Sequence, residues 1–251
     1  MQRAGGGAGS RRSQASGPPA VITEAIVLAG GRGTRLRSLV SAVPKPMADV
    51  NGAPFLAYVL ARLAAAGVRT TLLSVGYKHE AITSYFGGSW RGMRLRYVVE
   101  PEPLGTGGAL ALSLAQAEEP SVFVLNGDTY FDVPLQELAA RHAAGCCDLT
   151  LALKRLPDVG RYGTVVVAGG RVVRFEEKAG RAAGLVNAGV YLARRDLLAG
   201  VPAGVAFSFE ADFLPPRLGE LRVCAFTGTG YFVDIGVPED YLRARSDLPK
   251  L

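Results

Sequence analysis

Cations held in glycine-rich and proline-flanked loops are the groups in this chain best placed to do chemistry. An apolar run, Ala25–Ala29, reads as a buried strand and empties into Gly30-Gly-Arg-Gly-Thr-Arg35. Gly30, Gly31 and Gly33 let the backbone approach a ligand and aim N–H groups at it, and Arg32 and Arg35 meet negative charge. Lys45 follows between Pro44 and Pro46. Such an arrangement suits a nucleoside triphosphate. Two better-known loops fit poorly. A P-loop requires Gly-Lys-Ser/Thr after its spacer, which is absent. The dinucleotide fingerprint wants a third small residue where Leu36 stands, so Gly31-x-Gly33 with Asp49 downstream is a weak match. No Ser-His-Asp or Cys-His pattern offers a nucleophile.

Further segments recur in a fixed order: Pro44-Lys-Pro46, Glu100-Pro-Glu-Pro-Leu-Gly-Thr-Gly-Gly108, Leu125-Asn-Gly-Asp128, Phe175-Glu-Glu-Lys178, Asn187-Ala-Gly-Val-Tyr191 and Phe232-Val-Asp-Ile-Gly236. With Gly30-Gly-x-Gly-Thr-Arg-Leu36 they make the chain resemble the sugar-1-phosphate nucleotidylyltransferases over roughly Glu24 to Ala244. That resemblance implies a reaction in which a phosphate oxygen of a sugar 1-phosphate attacks the α-phosphorus of a nucleoside triphosphate and pyrophosphate departs. The nucleophile is already anionic near neutral pH, so the enzyme must bring polyanions together and neutralise their charge.

The resemblance also implies the residue roles. Asp128 and Asp234 would jointly hold Mg²⁺, although a turn cap is the plainer job for an Asp at a strand end. Arg35 and Lys45 would meet the nucleotide phosphates. Lys178 would meet the sugar phosphate, against a plainer reading as a lysine at a strand edge. Backbone at Leu28, Ala29, Gly30, Gly31, Gly33, Thr34, Gly105 and Thr106 would cradle the nucleotide. Glu100 could accept from guanine's adjacent N1–H and 2-amino donors, or be a solvated strand end. Gly163, Glu177 and Asn187 would contact the sugar, while Tyr162 and Tyr191 pack the walls. Glu210, in Phe207-Ser-Phe-Glu210, belongs to the shared pattern without a role that the sequence can supply.

A finer resemblance is to the D-glycero-α-D-manno-heptose 1-phosphate guanylyltransferases, which make GDP-heptose for surface polysaccharides. It rests on Ser74-Val-Gly-Tyr-Lys-His-Glu-Ala-Ile82, Phe207-Ser-Phe-Glu-Ala-Asp-Phe213 and Gly230-Tyr-Phe-Val-Asp-Ile-Gly-Val-Pro-Glu-Asp-Tyr241. The mannose-1-phosphate guanylyltransferases differ by little that motifs resolve. Two other readings compete: a non-catalytic sensor of nucleotide sugars, which would have lost its phosphate and metal residues, and a nicotinamide-dependent oxidoreductase, which would leave Lys45 and the paired aspartates unexplained.

The elements that must position these groups alternate. Strands are expected at Ala25–Ala29, Thr70–Val75, Leu95–Val99 and Val122–Leu125, and helices at Pro54–Ala66, His79–Phe86 and Gly108–Ala117. This predicts an α/β fold: a Rossmann-like, mixed, mainly parallel sheet flanked by helices, with ligands beyond the strands' carboxyl ends. The second half is strand-rich, with Leu149–Lys154, Gly163–Val167, Val172–Glu176 and Leu185–Leu192 extending the sheet antiparallel as the sugar side of one cleft. Gly169-Gly170 reads as a hairpin turn.

Composition bounds the rest. A chain of 251 residues is long enough for one large α/β domain, here expected over residues 23–251. Too little of it follows Asp240-Tyr241 for the hexapeptide-repeat domain that some relatives carry. Residues 1–22, rich in Gly, Ser and Arg, form an expected disordered tail without the apolar core of a signal peptide. Half of the formal +6 charge comes from Arg3, Arg11 and Arg12 in that tail. The small remaining surplus suits phosphorylated small molecules, GTP and a sugar 1-phosphate, and no basic-aromatic stripe points to nucleic acid. No apolar run could span a membrane, and a homo-oligomer stays open. Cys146, Cys147 and Cys224 have neither a disulfide framework nor zinc-like spacing and read as free thiols, which suggests a reducing, cytoplasmic setting. His79 and His142 read as isolated surface positions on helices.

Overall fold

The strand Glu24–Leu28 is apolar on both faces, and this sets the layering. Side chains alternate across a strand. Ala25 and Val27 therefore join one core with Phe55, Leu56, Leu60 and Leu63 of the helix Phe55–Ala65. Ile26 points the other way, into a second core with Leu110 and Leu114 of the helix Gly105–Leu114. A strand covered by helices on both sides is the environment in which parallel sheets form. These relations come from a computed structural model, which describes residues 21–31, 43–176 and 182–251.

The main sheet has ten strands. From one edge they run Thr164–Ala168, Arg171–Glu176, Val223–Gly228, Leu149–Leu156, Gly184–Arg194, Ser121–Asn126, Glu24–Leu28, Thr70–Val75, Met93–Val99 and Ser89–Trp90. Glu24–Leu28 pairs in parallel with both Thr70–Val75 and Ser121–Asn126, and Thr70–Val75 in parallel with Met93–Val99. Gly184–Arg194 then runs antiparallel to Ser121–Asn126 and Leu149–Leu156, so the strand-rich half continues the same sheet.

The expected alternation is present, with shifted boundaries. Thr70–Val75 and His79–Phe86 stand where the pattern puts them. The helix expected from Gly108 begins at Gly105, because the run Gly105-Thr-Gly-Gly108 is its first turn rather than a loop before it. The helix on which His142 is expected runs Leu135–Ala144, while the helix Pro238–Asp247 and the strand Val223–Gly228 lie outside the expected pattern.

That last strand explains a correction. Val223–Gly228 lies parallel to Leu149–Leu156, with Cys224 opposite Thr150. This brings Cys147 and Cys224 together as a disulfide, with Cα atoms 6.0 Å apart, while Cys146 is a free, exposed thiol. Only sheet adjacency could reveal the pair, and the free-thiol argument for a reducing compartment falls away.

His142 is a second correction. It lies on the helix Leu135–Ala144 but faces inward, 8% exposed, with Nδ1 2.9 Å from the Thr150 hydroxyl. Burial pushes its pKa from 6.5 to about 4, against a smaller opposing pull from Asp148. The folded protein therefore keeps His142 neutral where the unfolded chain would protonate it. This contribution is complete above the unfolded value and is lost as pH falls from about 6.5 towards 4. His142→Gln should thus lose about 2 kcal/mol less stability than the unmodified protein between about pH 7.5 and about pH 5. Urea denaturation at the two pH values measures this, and equal losses would show that His142 does not stay neutral in the fold.

Candidate active site

Two strand ends and one short ribbon assemble the charged centre. Leu28 and Asn126 are register partners at the carboxyl ends of neighbouring parallel strands. Beyond them the Gly127 N–H donates to the Leu28 carbonyl at 2.8 Å. A Cβ on Gly127 would stand 2.9 Å from that same oxygen, so only glycine allows the approach. The turn carries Asp128 out beyond the strand end that leads into Gly30-Gly31. Thr129–Phe131 next pairs antiparallel with Phe232–Asp234, with Asp234 opposite Thr129, and the Ile235 N–H donates to the Asp128 carbonyl at 3.1 Å. Two carboxylates far apart in sequence are thereby set side by side.

Lys45 completes the group. It opens a 3-10 turn, Lys45–Met47, stiffened by Pro44 and the buried Pro46. Its Nζ donates to Asp128 Oδ2 at 2.7 Å and reaches Asp234 Oδ1 at 3.4 Å, and its side chain is only 10% exposed. The Asp234 carboxyl is held above the usual range, first by burial and then by the Asp128 charge. Lys45 and the Gly236 N–H, 2.8 Å from Oδ1, oppose that shift. Two carboxylates facing one ammonium leave a negative charge unbalanced. Their hard oxygens suit a small divalent cation that takes its remaining ligands from substrate and water. Among the described residues no cluster of three or more His, Cys, Asp or Glu could hold an ion by itself.

Glu100 follows the strand Met93–Val99 and folds back under the glycine loop. Its Oε1 accepts from Ser74 Oγ at 3.2 Å and its Oε2 from the Leu104 N–H at 3.3 Å. A Cβ on Gly30 would collide with Oε1. Burial raises the Glu100 pKa, and those two hydrogen bonds partly offset it. This is an oriented, half-buried carboxylate, not a solvated strand end. It lines a cleft of about 390 Å³ with Gly30, Gly76 and Pro101. Leu28 and Ala29 lie at the strand end, where the Ala29 N–H donates to Ser74 O at 2.7 Å.

The glycines at 105, 107 and 108 have a packing cause of their own. Added Cβ atoms there would strike the Phe207 carbonyl, the Phe207 ring and the Val205 carbonyl. The segment is laced down by Gly107 N–H to Phe207 O at 2.9 Å and Phe207 N–H to Leu104 O at 3.0 Å. Thr106 turns its hydroxyl inward to Glu210 Oε2 at 2.7 Å and receives the Phe209 N–H at 2.9 Å. Its hydroxyl is engaged within the protein.

On the other side, Gly163, Asn187, Glu176 and Glu210 line a cleft of about 740 Å³. This is roomy for a sugar, within the usual range for ligand sites. Just beyond the pairing of Val190 with Leu125, Gly189 lies against Asn126, where a Cβ would stand 2.8 Å from Asn126 Nδ2. The sugar-side strand is thus pressed against the turn that carries Asp128. Asn126 Oδ1 is buried without a hydrogen-bond partner among the described residues. Tyr191 is buried as expected of a wall residue but also donates to Glu210. Tyr162 packs edge-on against Phe232 at 6.0 Å, and Glu176 is a partly exposed strand carboxylate paired with Arg174.

The structure therefore gathers Lys45, Asp128 and Asp234 into one group and places Glu100 beside Gly30 and Asn187 beside Gly163. Gly33, Thr34, Arg35, Glu177 and Lys178, with Arg32 and the tail to residue 20, lie outside the described residues. Glu210, Ser74 and Gly127 were not assigned roles from sequence. The signal that each carried was its place in a shared segment.

A glycine turn at a strand end, a lysine between two aspartates and a cleft of about 740 Å³ on one sheet fit a nucleotidyl-transferring class of site. The chain belongs to the nucleotidyl transferase family, whose pattern matches residues 24–250. It is 44% identical over 225 residues to the D-glycero-alpha-D-manno-heptose 1-phosphate guanylyltransferase of Aneurinibacillus thermoaerophilus, covering 90% of this chain and 98% of that one. A mannose-1-phosphate guanylyltransferase of Mycobacterium tuberculosis is 37% identical, with 90% of this chain and 64% of the relative covered. Among solved structures, HddC from Yersinia pseudotuberculosis complexed with GMP-PN superposes with a TM-score of 0.79 at 33% identity, covering 90% of this chain and 99% of that one.

Proposed function

We propose that this enzyme transfers GMP from GTP to D-glycero-α-D-manno-heptose 1-phosphate, giving GDP-heptose and pyrophosphate for surface polysaccharide synthesis in the cytoplasm. The observation that carries the transfer chemistry is Lys45 set between Asp128 and Asp234, 2.7 and 3.4 Å away. The sugar and base follow the relatives: heptose 1-phosphate guanylyltransferases at 44% and 42% identity match nearly their whole length.

In this reading an oxygen of the sugar phosphate attacks the α-phosphorus, and the bond to the bridging oxygen of pyrophosphate breaks. No protein nucleophile or base is needed. Asp128 and Asp234 would hold Mg²⁺, which when bound neutralises charge on the nucleotide phosphates. Lys45 supplies a fixed cation at the same place, and Arg35 a planar guanidinium for the departing phosphates. Lys178 neutralises the sugar phosphate, Glu177 and Asn187 meet sugar hydroxyls, and Gly163 leaves room for the ring. Glu100, held by Ser74 and the Leu104 N–H, retains acceptor capacity on both oxygens for the two guanine donors.

The base and sugar are tested together by a matrix of GTP, UTP, dTTP and ATP against heptose, mannose and glucose 1-phosphates, read as pyrophosphate release. GTP with the heptose 1-phosphate should give the highest kcat/KM, with mannose 1-phosphate weaker. A base that lacks the donor pair leaves the remaining lone pairs of Glu100 unused in a closed site and should lose on the order of a hundredfold or more. A preference for UTP or dTTP would refute the Glu100 argument. A preference for mannose 1-phosphate would keep the mechanism and move the enzyme to the sister activity, a reading that the 37% identity to a mannose-1-phosphate guanylyltransferase keeps in play.

A further inference from the structure

Glu210 is the node of a hydrogen-bond chain that runs from the nucleotide side of the site to the sugar side. Its Oε2 accepts from Thr106 Oγ1 at 2.7 Å, with Ser208 Oγ more distant at 3.5 Å. Its Oε1 accepts from the Tyr191 hydroxyl at 2.9 Å. Tyr191 in turn receives the Asn187 Nδ2–H at 2.7 Å, and Asn187 Oδ1 receives the Gly189 N–H at 3.1 Å. Glu210 stands on a π-helical turn, Phe209–Phe213, whose Ser208 side chain caps the Ala211 N–H. Stacked Phe209 and Phe213, with ring centroids 5.7 Å apart, anchor that turn.

The chain has only one consistent direction. An ionised carboxylate can only accept, so the single Tyr191 proton must point at Glu210. The tyrosine oxygen then offers only lone pairs to Asn187, which must present its NH₂ group there. Asn187 is left with one N–H and one lone pair of known placement. A neutral amide at position 210 could donate as well as accept, so the Tyr191 proton would lose its fixed direction and only the Gly189 N–H would still hold Asn187.

We propose that Glu210 is a positioning residue: through Tyr191 it fixes the donor and acceptor ends of Asn187 toward the sugar, while through Thr106 it ties this array to the first turn of the helix at the nucleotide loop. The proposal rests on the assignment of Asn187 to the sugar in the proposed function. It is independent of which sugar is bound, and it explains why a glutamate outside the phosphate centre lines the sugar cleft.

Glu210→Gln, Tyr191→Phe and the double variant, each in the full chain, test it. The sugar 1-phosphate used is whichever one the unmodified enzyme turns over best, so an error in the heptose assignment leaves the test intact. Each single variant should raise KM for the sugar 1-phosphate by about tenfold, with KM for the nucleotide changed less than about twofold and melting temperature nearly unchanged. The double variant should be no worse than the weaker single, because both break the same chain. Multiplying losses in the double variant would overturn the proposal. So would equal effects on both substrates, which would mark Glu210 as a brace for the helix alone. Should Glu210→Gln fail to fold, Tyr191→Phe, which removes one oxygen, still decides it: an unchanged KM for the sugar 1-phosphate rejects the chain.

Discussion

Asp128→Ala and Asp234→Ala should each reduce turnover by roughly a thousandfold or more while leaving the protein folded. Charge stabilisation by a held metal at a phosphoryl group is worth several kcal/mol, and each 1.36 kcal/mol is a factor of about ten in rate. The fold should tolerate either change, because neither aspartate is deeply buried: their side chains are 37% and 33% exposed. Removing one also relieves its repulsion with the other and leaves Lys45 a partner. Pyrophosphate release with melting temperature as the control measures the effect, and EDTA should reproduce it in the unmodified enzyme. A variant that kept a tenth of normal activity would show that the two carboxylates do not form the metal site.

Lys45→Ala is expected to cost on the order of a hundredfold in kcat/KM, since a preorganised cation at developing phosphate charge is worth about 3 kcal/mol. A second signature separates this from loss of packing. The Lys45 ammonium lies between the carboxylates, with Nζ 2.7 Å from Asp128 Oδ2 and 3.4 Å from Asp234 Oδ1. Without it, two like charges face one another, and a divalent cation gains more by binding. The variant should therefore melt lower than the unmodified protein in EDTA and recover more on adding Mg²⁺, because a ligand stabilises in proportion to its affinity for the folded state. Melting curves with and without the metal measure this. An equal metal-induced shift in both proteins would mean that Lys45 does not compete for the site.

Much of this site was legible because its motifs sit where local pattern and chemistry coincide. Leu28, Ala29 and Gly30 close a strand whose apolar residues announce it, and Asp128 closes another after Leu125. Periodicity places both turns at strand ends, and parallel pairing does the rest. Asp234 was legible only by motif. Its position depends on the ribbon Phe232–Asp234 against Thr129–Phe131, whose three-residue strands are too short to show an alternation. The partners of Glu210 were illegible for a different reason. Thr106 and Tyr191 reach it from separate elements, and no spacing along the chain encodes that meeting. The glycines at 105, 107 and 108 look like a ligand loop, yet each also makes room for the segment Val205–Phe207. His142 and the Cys147–Cys224 pair were misread because both depend on what packs beside them. One face of the helix Leu135–Ala144 turns His142 to Thr150, and an unanticipated strand brings Cys224 to Cys147.

The central claim is that the lysine and the two aspartates serve a transfer of GMP to a sugar phosphate. It is tested most directly by following GTP and D-glycero-α-D-manno-heptose 1-phosphate with the enzyme and Mg²⁺ by phosphorus NMR. The two substrates should disappear together, replaced by the paired signals of a diphosphate diester and one equivalent of pyrophosphate, and the same mixture with the Asp128→Ala protein should stay unchanged. Release of GDP and orthophosphate instead, or diester formation that survives loss of Asp128, would contradict it.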